Sequence, residues 1–352
     1  MTGWETFLTA AIKVVIAFGF LLTVTILLVW FERKVVADMQ NRLGPVRAGP
    51  YGLLQTVADG MKLLFKESVT PRKVEFSLYI AAPVAALLPA LLIFLVIPVG
   101  KPFFIGDRQI DLSGTDLNIG VLYVLALSSL AVYAVVLAGW SSGSKYPLLG
   151  AVRASAQMIS YEAAMGLALV PVILYSGSAS LSSIVDAQIA TRSVGPFDLP
   201  VWNIVLVPSF LIFFIAGVAE TNRAPFDLVE AESEIVGGYH TEYSGFRFAL
   251  FFLAEYINIF NISALTTVLF LGGWHGPTIG WGPLPWILPL VYFFAKTVVL
   301  VFVFVWIRAS LPRMRYDQLM QFGWKRLIPL TLLWITLSTI GIGVQRFGVP
   351  WG

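Results

Sequence analysis

The segment SLYIAAPVAALLPALLIFLVIPVG, residues 77–100, runs without a single charged side chain. A transmembrane α-helix needs about 20 apolar residues to cross roughly 30 Å of hydrocarbon, so this stretch predicts a membrane span. Similar stretches recur along the chain, which is 352 residues long, 58% hydrophobic and only 12% charged. This composition excludes a soluble globular domain and indicates a polytopic membrane protein.

Eight apolar stretches are long enough to be read as membrane spans, which predicts an all-α fold and a single membrane domain over residues 1–352. The first stretch is too long for a signal-peptide core, so we expect it to be retained. The predicted spans are residues 7–30, 77–100, 118–139, 154–176, 201–219, 247–272, 284–307 and 327–345.

Lysine and arginine are divided unequally between the two sets of loops. The loops after the first, third, fifth and seventh spans carry seventeen of these residues, and the opposite loops carry four. Because positively charged loops remain on the cytoplasmic side, the odd-numbered loops are predicted to be cytoplasmic and both termini to face the other side.

The chain contains no cysteine, and its only histidines are His240 and His275. Iron–sulfur clusters require thiolate ligands, so a cluster held by this chain is excluded, and a zinc or haem site would find hardly any ligands. We therefore expect no cofactor to be bound by this chain. Any redox reaction in which it takes part must use a substrate or cofactor supplied from elsewhere.

The first cytoplasmic loop, residues 31–76, is too long to be a plain connector. Within it, YGLLQTVADGMKLLFKE (51–67) predicts an amphipathic helix at the membrane interface or against the spans. A helix that only seals the bundle explains the pattern equally well. The predicted apolar stripe comprises Leu54, Val57, Ala58, Met61, Leu64 and Phe65.

A second cytoplasmic loop, the acidic segment (residues 220–245), concentrates negative charge beside the membrane. Like charges at close spacing raise one another's pKa, so the segment is a candidate proton store or relay. A solvated acidic surface is the competing interpretation. The carboxylates are Glu220, Asp227, Glu230, Glu232, Glu234 and Glu242, and Arg223 is the one basic residue among them.

Ionisable side chains inside the predicted spans are few, and each is a functional candidate because burying a charge in a bilayer is costly. Glu162 and Glu255 lie within spans four and six, and Lys296 lies within span seven. With Glu220, the two glutamates are predicted to form a proton path, and Lys296 is a possible counter-ion for either of them. A buried ion pair that only locks helix packing is the alternative.

Two long stretches, ERKVVADMQNRLGPVRAGPYGLLQTVADGMKLLFKE (32–67) and AETNRAPFDLVEAESEIVGGYHTEYSG (219–245), resemble one family closely. This is the family of the H subunit of proton-pumping NADH:quinone oxidoreductase (respiratory complex I), to which mitochondrial NADH dehydrogenase subunit 1 belongs. The resemblance covers essentially the whole chain. It implies a membrane subunit, inactive alone, that anchors the peripheral redox arm, helps to form the quinone chamber and couples quinone reduction to proton translocation.

The same resemblance implies roles for particular residues. The implied quinone chamber is lined by Glu32, Arg33, Arg42, Asp59, Met61, Lys62 and Phe226. The implied proton relay is Glu162, Glu220, Asp227, Glu230, Glu232, Glu234 and Glu255. Some relatives have a further acid in the third span, but LSSLAVYAVVLAGW (127–140) contains none, so no relay residue is expected there.

The resemblance also implies the surroundings of the chain. Quinone is the expected substrate, while FMN and iron–sulfur clusters are expected in partner subunits. The expected partners are peripheral quinone-module subunits, small membrane subunits, antiporter-like subunits and membrane lipid, without nucleic acid. A bacterial inner (plasma) membrane is the expected location, with the mitochondrial inner membrane as the alternative.

Three other functions explain part of the pattern. A stand-alone proton-coupled transporter explains the acidic residues within the spans but predicts internal repeats, and none is evident. The related subunit of membrane-bound hydrogenase complexes explains the acidic segment but has no quinone reaction. A structural scaffold with no chemistry is the third.

Overall fold

The computed structural model describes residues 3–105, 108–110, 112–189, 191–194, 197–200, 202–227, 237–276 and 287–347. Helices dominate these residues, as predicted. In chain order they are α1 (Gly3–Met39), α2 (Gln55–Phe65), α3 (Phe76–Val96), α4 (Gly120–Ser141), α5 (Lys145–Ser176), α6 (Leu181–Ala187), α7 (Val207–Glu220), α8 (Phe246–Phe270), α9 (Ile287–Ser310), α10 (Tyr316–Phe322) and α11 (Ile328–Phe347).

Seven helical segments of the described chain are long and apolar enough to cross a membrane, which confirms the polytopic all-α fold. The fifth predicted span is shorter than the predicted 201–219. Its α-helix, α7, has 14 residues. A short 3-10 turn at Asn203–Val205 precedes it, and Pro208 lies in its first turn. The Asn203 side chain donates to the Leu269 carbonyl instead of facing lipid.

The amphipathic helix predicted at 51–67 is observed as α2, after a 3-10 turn at Pro50–Gly52. Gly52 has a φ of +78°, and an added Cβ would lie 2.1 Å from the Pro45 carbonyl oxygen, so glycine is required at this turn. No residue of α2 is buried. Its apolar stripe therefore does not pack against the spans within this chain, which leaves that face for the membrane interface or a partner.

The core lies where α3, α4, α5, α7 and α8 meet, and small residues let these helices approach closely. A Cβ at Gly139 of α4 would lie 2.2 Å from the Cβ of Ala151 on α5. A Cβ at Gly217 of α7 would lie 2.5 Å from the Ile262 side chain on α8. Such close helix contacts replace the hydrophobic driving force that lipid cannot supply.

Two short antiparallel hairpins add to the helical fold. One pairs Phe103–Ile105 with Arg108–Ile110, and the other pairs Thr191–Val194 with Phe197–Pro200. Both lie in loops predicted to be non-cytoplasmic. The hairpins are not predicted from the sequence, because runs of three or four residues are too short to show alternation.

Candidate functional site

Four elements bring a buried ion cluster together at the predicted cytoplasmic end of the bundle. We call Glu32, Arg223, Glu255 and Arg308 the ion cluster. Glu32, on α1, is only 6% exposed and accepts a hydrogen bond from Arg308 of α9. Arg223 Nη1 lies 3.5 Å from the same carboxylate oxygen, and the Tyr256 hydroxyl donates to the other oxygen at 2.7 Å. Glu32 is thus held by two cations and a phenol.

Arg223 connects the two carboxylates of the ion cluster. Its Nε lies 2.6 Å from Glu255 Oε1, and its guanidinium stacks over the Tyr256 ring at 4.5 Å. Two carboxylates and two guanidiniums therefore meet in a site where Glu32 and Arg223 are buried and the other two are partly exposed. Buried charges are tolerated only when paired and hydrogen-bonded, so each member depends on the others.

Local structure after α7 positions Arg223. The helix ends at Glu220, and Asn222 takes a positive φ of 50°, which reverses the chain. Gln157 of α5 fastens both sides of this turn, because its amide donates to the Ala219 carbonyl at 2.8 Å and to the Phe226 carbonyl at 2.9 Å. The Gln157 side chain is fully buried and was not singled out from the sequence.

Glu162 and Glu220 form a second acidic pair that shares Ser128. The Ser128 hydroxyl donates to Glu162 at 3.3 Å, and Ser129 donates to the same oxygen. Glu220 and Ser128 together line a cavity of about 20 Å³, which is room for about one water. One buried oxygen of Glu220 has no hydrogen-bond partner among the described residues.

The residues of the predicted path from Glu220 through Glu162 to Glu255 have different partners. The structure groups Glu255 with Arg223 and Glu32, whereas Glu162 is joined to the serines of α4. The carboxylates thus have two sets of partners, and a proton path that connects them stays a prediction.

The acidic segment is described at its two ends. Asp227 is buried and pairs with Arg313 at 3.3 Å. Burial with a basic partner contradicts a purely solvated surface at this residue. Glu230, Glu232 and Glu234, which were predicted for the relay, lie outside the described residues.

Several residues of the implied chamber lie together on α1 and α2. Arg33 Nη1 lies 2.6 Å from Asp59, and Lys62 lies 3.8 Å from it. Partial burial opposes ionisation, but the Arg33 hydrogen bond and charge prevail and lower the pKa of Asp59. Met61 is exposed on the same helix, and Arg42 bonds Gln40 at 2.7 Å beyond the end of α1.

Phe226 lies apart from that surface. It is 5% exposed, with its ring 5.3 Å from Tyr161 and 6.4 Å from Phe322. With Met314 it lines an apolar cavity of about 220 Å³ between α7 and the end of α9. Phe226 is therefore buried among other aromatic side chains, whereas Met61 and Lys62 are exposed on α2.

Lys296 is not a counter-ion for Glu162 or Glu255. Its ammonium donates to the carbonyls of Leu271, Gly273 and His275, and it lies 4.2 Å from the Trp202 ring centre. Helix ends leave backbone carbonyls unsatisfied, and a cation is favoured at a C-terminus. Lys296 thus caps the far end of α8, away from the ion cluster.

Metal binding finds no support in the described part of the chain, where no group of three or more histidine, cysteine or acidic side chains could hold an ion. His240 packs on Phe251 at 5.0 Å between ring centres. Burial lowers the pKa of His240 to about 3, so the imidazole is neutral at physiological pH.

Arg308 and Tyr256 are the site residues that sequence reasoning missed. Arg308 was counted only as one of many positive charges in a cytoplasmic loop. The available signal was its place as the first cation after an apolar run, in WIRAS (306–310). For Tyr256 the available signal was its position directly after Glu255 in the sequence.

These features define a class of protein: a multi-pass helical membrane protein with a buried carboxylate–guanidinium cluster at one face. The family model described as NADH dehydrogenase matches residues 12–339. The H subunit of NADH-quinone oxidoreductase from Frankia alni is 51% identical over 95% of this chain and 72% of its own length. The Frankia casuarinae protein of the same name is 51% identical over 92% and 70%. The chain belongs to this family and is a subunit of an oxidoreductase complex.

Proposed function

We propose that this chain forms part of the quinone chamber of NADH-quinone oxidoreductase and couples quinone reduction to proton translocation through its buried carboxylates. In this proposal the chain also anchors the peripheral redox arm to the membrane arm in a bacterial inner membrane. Quinone is the substrate, and FMN and iron–sulfur clusters reside in partner subunits. The names of the relatives and the arrangement of charges support the proposal.

A single step along α1 carries the argument. Arg33 faces the α2 surface and pairs with Asp59, while its neighbour Glu32 faces inward and pairs with Arg223 and Arg308. Successive helical residues point about 100° apart, so α1 joins an exposed polar surface to the buried ion cluster. A change of charge at the α2 surface near Arg33 is therefore only one residue away from Glu32, which can respond within the ion cluster.

The chamber surface suits both the headgroup and the tail of a quinone. Arg33 and Lys62 are half-exposed or more and offer donors to a reduced, anionic headgroup. Met61 and the exposed apolar stripe of α2 offer contact for the tail. Arg42 extends the positive surface beyond the end of α1.

Coupling follows from the strength of charge interactions at this site. Two charges about 4 Å apart interact by about 4 kcal/mol at an effective dielectric constant near 20. Protonation of Glu32 would therefore loosen Arg223 and Arg308, and within the ion cluster Arg223 would then be held mainly by Glu255. Asp227, Glu230, Glu232 and Glu234 would extend the response along the acidic segment, and Glu220 and Glu162 would receive it within the membrane.

The test uses membranes that contain the assembled complex with Glu32→Gln or Glu220→Gln. We expect both variants to lose NADH:quinone reduction and the pH gradient while keeping NADH:artificial-acceptor activity, which bypasses the quinone. Glu67→Gln, an exposed glutamate two residues beyond α2, is the matched control and should keep all three activities. Full activity of both variants would refute the relay, although the family assignment would stand.

A further inference from the structure

A groove opens on the membrane side of the bundle at the end opposite the ion cluster. It lies between α1, α3 and α9 and has a volume of about 380 Å³, within the roughly 300–1,000 Å³ of typical ligand sites. Ile16, Phe94 and Leu290 represent its apolar lining, and Lys13 stands at its mouth.

An aromatic cluster forms the floor of this groove. The Phe20 ring stacks on Phe94 at 5.4 Å and lies 5.6 Å from Phe294. Phe260 closes the cluster at 5.9 Å from Phe20. These packed rings separate the groove from the half of the bundle that contains the ion cluster, so an occupant enters from the lipid side.

Backbone hydrogen bonds fix the roof of the groove at the end of α3. The Val99 amide donates to the Leu112 carbonyl at 3.2 Å, and the Thr115 amide donates to the Leu95 carbonyl at 3.0 Å. Lys13 Nζ donates to the Ser113 carbonyl in this roof, also at 3.0 Å. Lys13 is therefore held beside the loop that follows α3. Because α3 is a predicted span, we expect this position to lie at the level of lipid headgroups.

The charge of Lys13 indicates the kind of occupant. A backbone carbonyl accepts one of the three N–H groups of the ammonium but carries no net charge, so it does not neutralise the cation. A cation at the boundary above a blind apolar groove is complementary to an amphiphile with an anionic head and a hydrocarbon tail. An uncharged quinone tail would make no use of the ammonium.

We propose that this groove is a binding site for an anionic phospholipid, with its phosphate at Lys13 and one acyl chain over the aromatic floor. The site is separate from the quinone chamber and does not depend on the proposed relay. It lies in the opposite leaflet from the positively charged loops, where general attraction of anionic lipid to basic loops does not operate.

The test uses the assembled complex in vesicles that contain phosphatidylglycerol with a photoactivatable acyl chain, or phosphatidylcholine with the same chain. After illumination, labelled peptides from residues 13–20 and 287–296 are quantified by mass spectrometry. We expect about fivefold more labelling by phosphatidylglycerol, the size of effect that one lysine near a membrane surface produces.

Matched variants separate the charge from the groove. Lys13→Gln should lower phosphatidylglycerol labelling to the phosphatidylcholine level, whereas Lys13→Arg and the exposed Lys101→Gln should preserve it. Ala17→Phe, which fills the groove without removing the cation, should lower labelling by both lipids. NADH:quinone reductase activity confirms that each variant is assembled.

Three results would overturn the proposal. Equal labelling by the two lipids would show that the groove contacts membrane lipid without selecting an anionic headgroup. Unchanged phosphatidylglycerol labelling in Lys13→Gln would remove the role of the ammonium. Loss of labelling on addition of a long-chain quinone would assign the groove to the quinone tail.

Discussion

The two ends of the bundle bury polar groups in different ways. At the predicted cytoplasmic end, Arg223 and Arg308 pair with Glu32 and Glu255, so ions compensate ions. At the other end, Lys296 donates to backbone carbonyls and pairs with no carboxylate in the described part of the chain. Backbone carbonyls do not change protonation, whereas carboxylates do. A buried charged side chain is therefore not by itself evidence of a proton path. Its partners must also include groups that can change protonation.

The amides behind these two sites follow the same division. Gln188 donates to the Val268 carbonyl and accepts from the Asn203 and Gly272 amides at the Lys296 end. Gln157 holds the turn that presents Arg223 at the other end. Both glutamines stabilise backbone, but only Gln157 does so next to groups that can titrate.

The largest expected effect comes from breaking the ion cluster at its centre. Arg223→Met leaves Glu255 without its 2.6 Å partner and removes one of the cations on Glu32. Breaking a buried ion pair costs roughly 3–5 kcal/mol. We expect little assembled complex on native gels and no quinone reductase activity.

A double variant gives this prediction its control. Arg223→Met with Glu255→Gln removes the uncompensated charge, so assembly should recover while proton pumping stays lost. If the double variant pumps normally, the ion cluster has no part in coupling.

Lys296→Met should weaken the opposite end without affecting coupling. It withdraws a charged donor from three carbonyls, and each buried acceptor left unsatisfied costs about 1–3 kcal/mol. We expect a lower Tm of the assembled complex but an unchanged ratio of protons pumped to NADH oxidised. Lys101→Met, on the same side and exposed, should leave the Tm unchanged. A changed pumping ratio would place Lys296 on the coupling path after all.

Gln157→Leu should give a smaller loss at the ion-cluster end. Two carbonyls lose their donor, and the turn that carries Arg223 is no longer fastened to α5. We expect quinone reductase activity to fall several-fold while NADH:artificial-acceptor activity is retained. The same substitution at Gln188 should lower the Tm and spare the activity. Equal effects on activity would remove the distinction between the two ends.

Arg33→Gln should have the smallest effect on stability, because the pair with Asp59 is partly solvated and such pairs contribute about 0.2–1 kcal/mol. The pKa of Asp59 is lowered in the folded chain, so the pair stabilises the docking of α2 above the ordinary aspartate pKa and loses this contribution as pH falls through the lowered pKa. The protection of residues 55–65 against hydrogen exchange, relative to the intrinsic rate at each pH, should be unchanged between pH 5 and 8 in the unsubstituted chain. A loss of this protection within that window would contradict this account.

The sequence predicts the membrane architecture well because apolar length and charge distribution are local properties. Seven of the predicted spans match helices long enough to cross a membrane, and the fifth contains the shorter α7. The helix α2 lies within its predicted range, although its ends differ by several residues. The shortness of α7 was not predictable, since its preceding residues are apolar but are held by Gln188 and Asn203, which act across distant segments.

The sequence predicts which carboxylates belong to the candidate site, but it does not predict which side chains they pair with. Glu255 stood out as a carboxylate within a span, and Glu32 was named only through the family resemblance. Glu32 meets Arg308 across a sequence separation of 276 residues. Lys296 was predicted to meet a carboxylate because opposite charges attract. Its actual partners are carbonyls that every residue possesses, so no side-chain pattern reveals them.

The length of α7 has an electrical consequence. Fourteen residues of α-helix span about 21 Å, which is about 9 Å less than the hydrocarbon thickness of roughly 30 Å. Because Glu220 ends α7, we expect it and its small cavity to occupy part of the missing depth. Where polar groups enter a bilayer, the transmembrane voltage falls across a thinner insulating layer, so the local field is steeper. A proton at Glu220 would therefore experience the membrane potential as well as the charge of its neighbours.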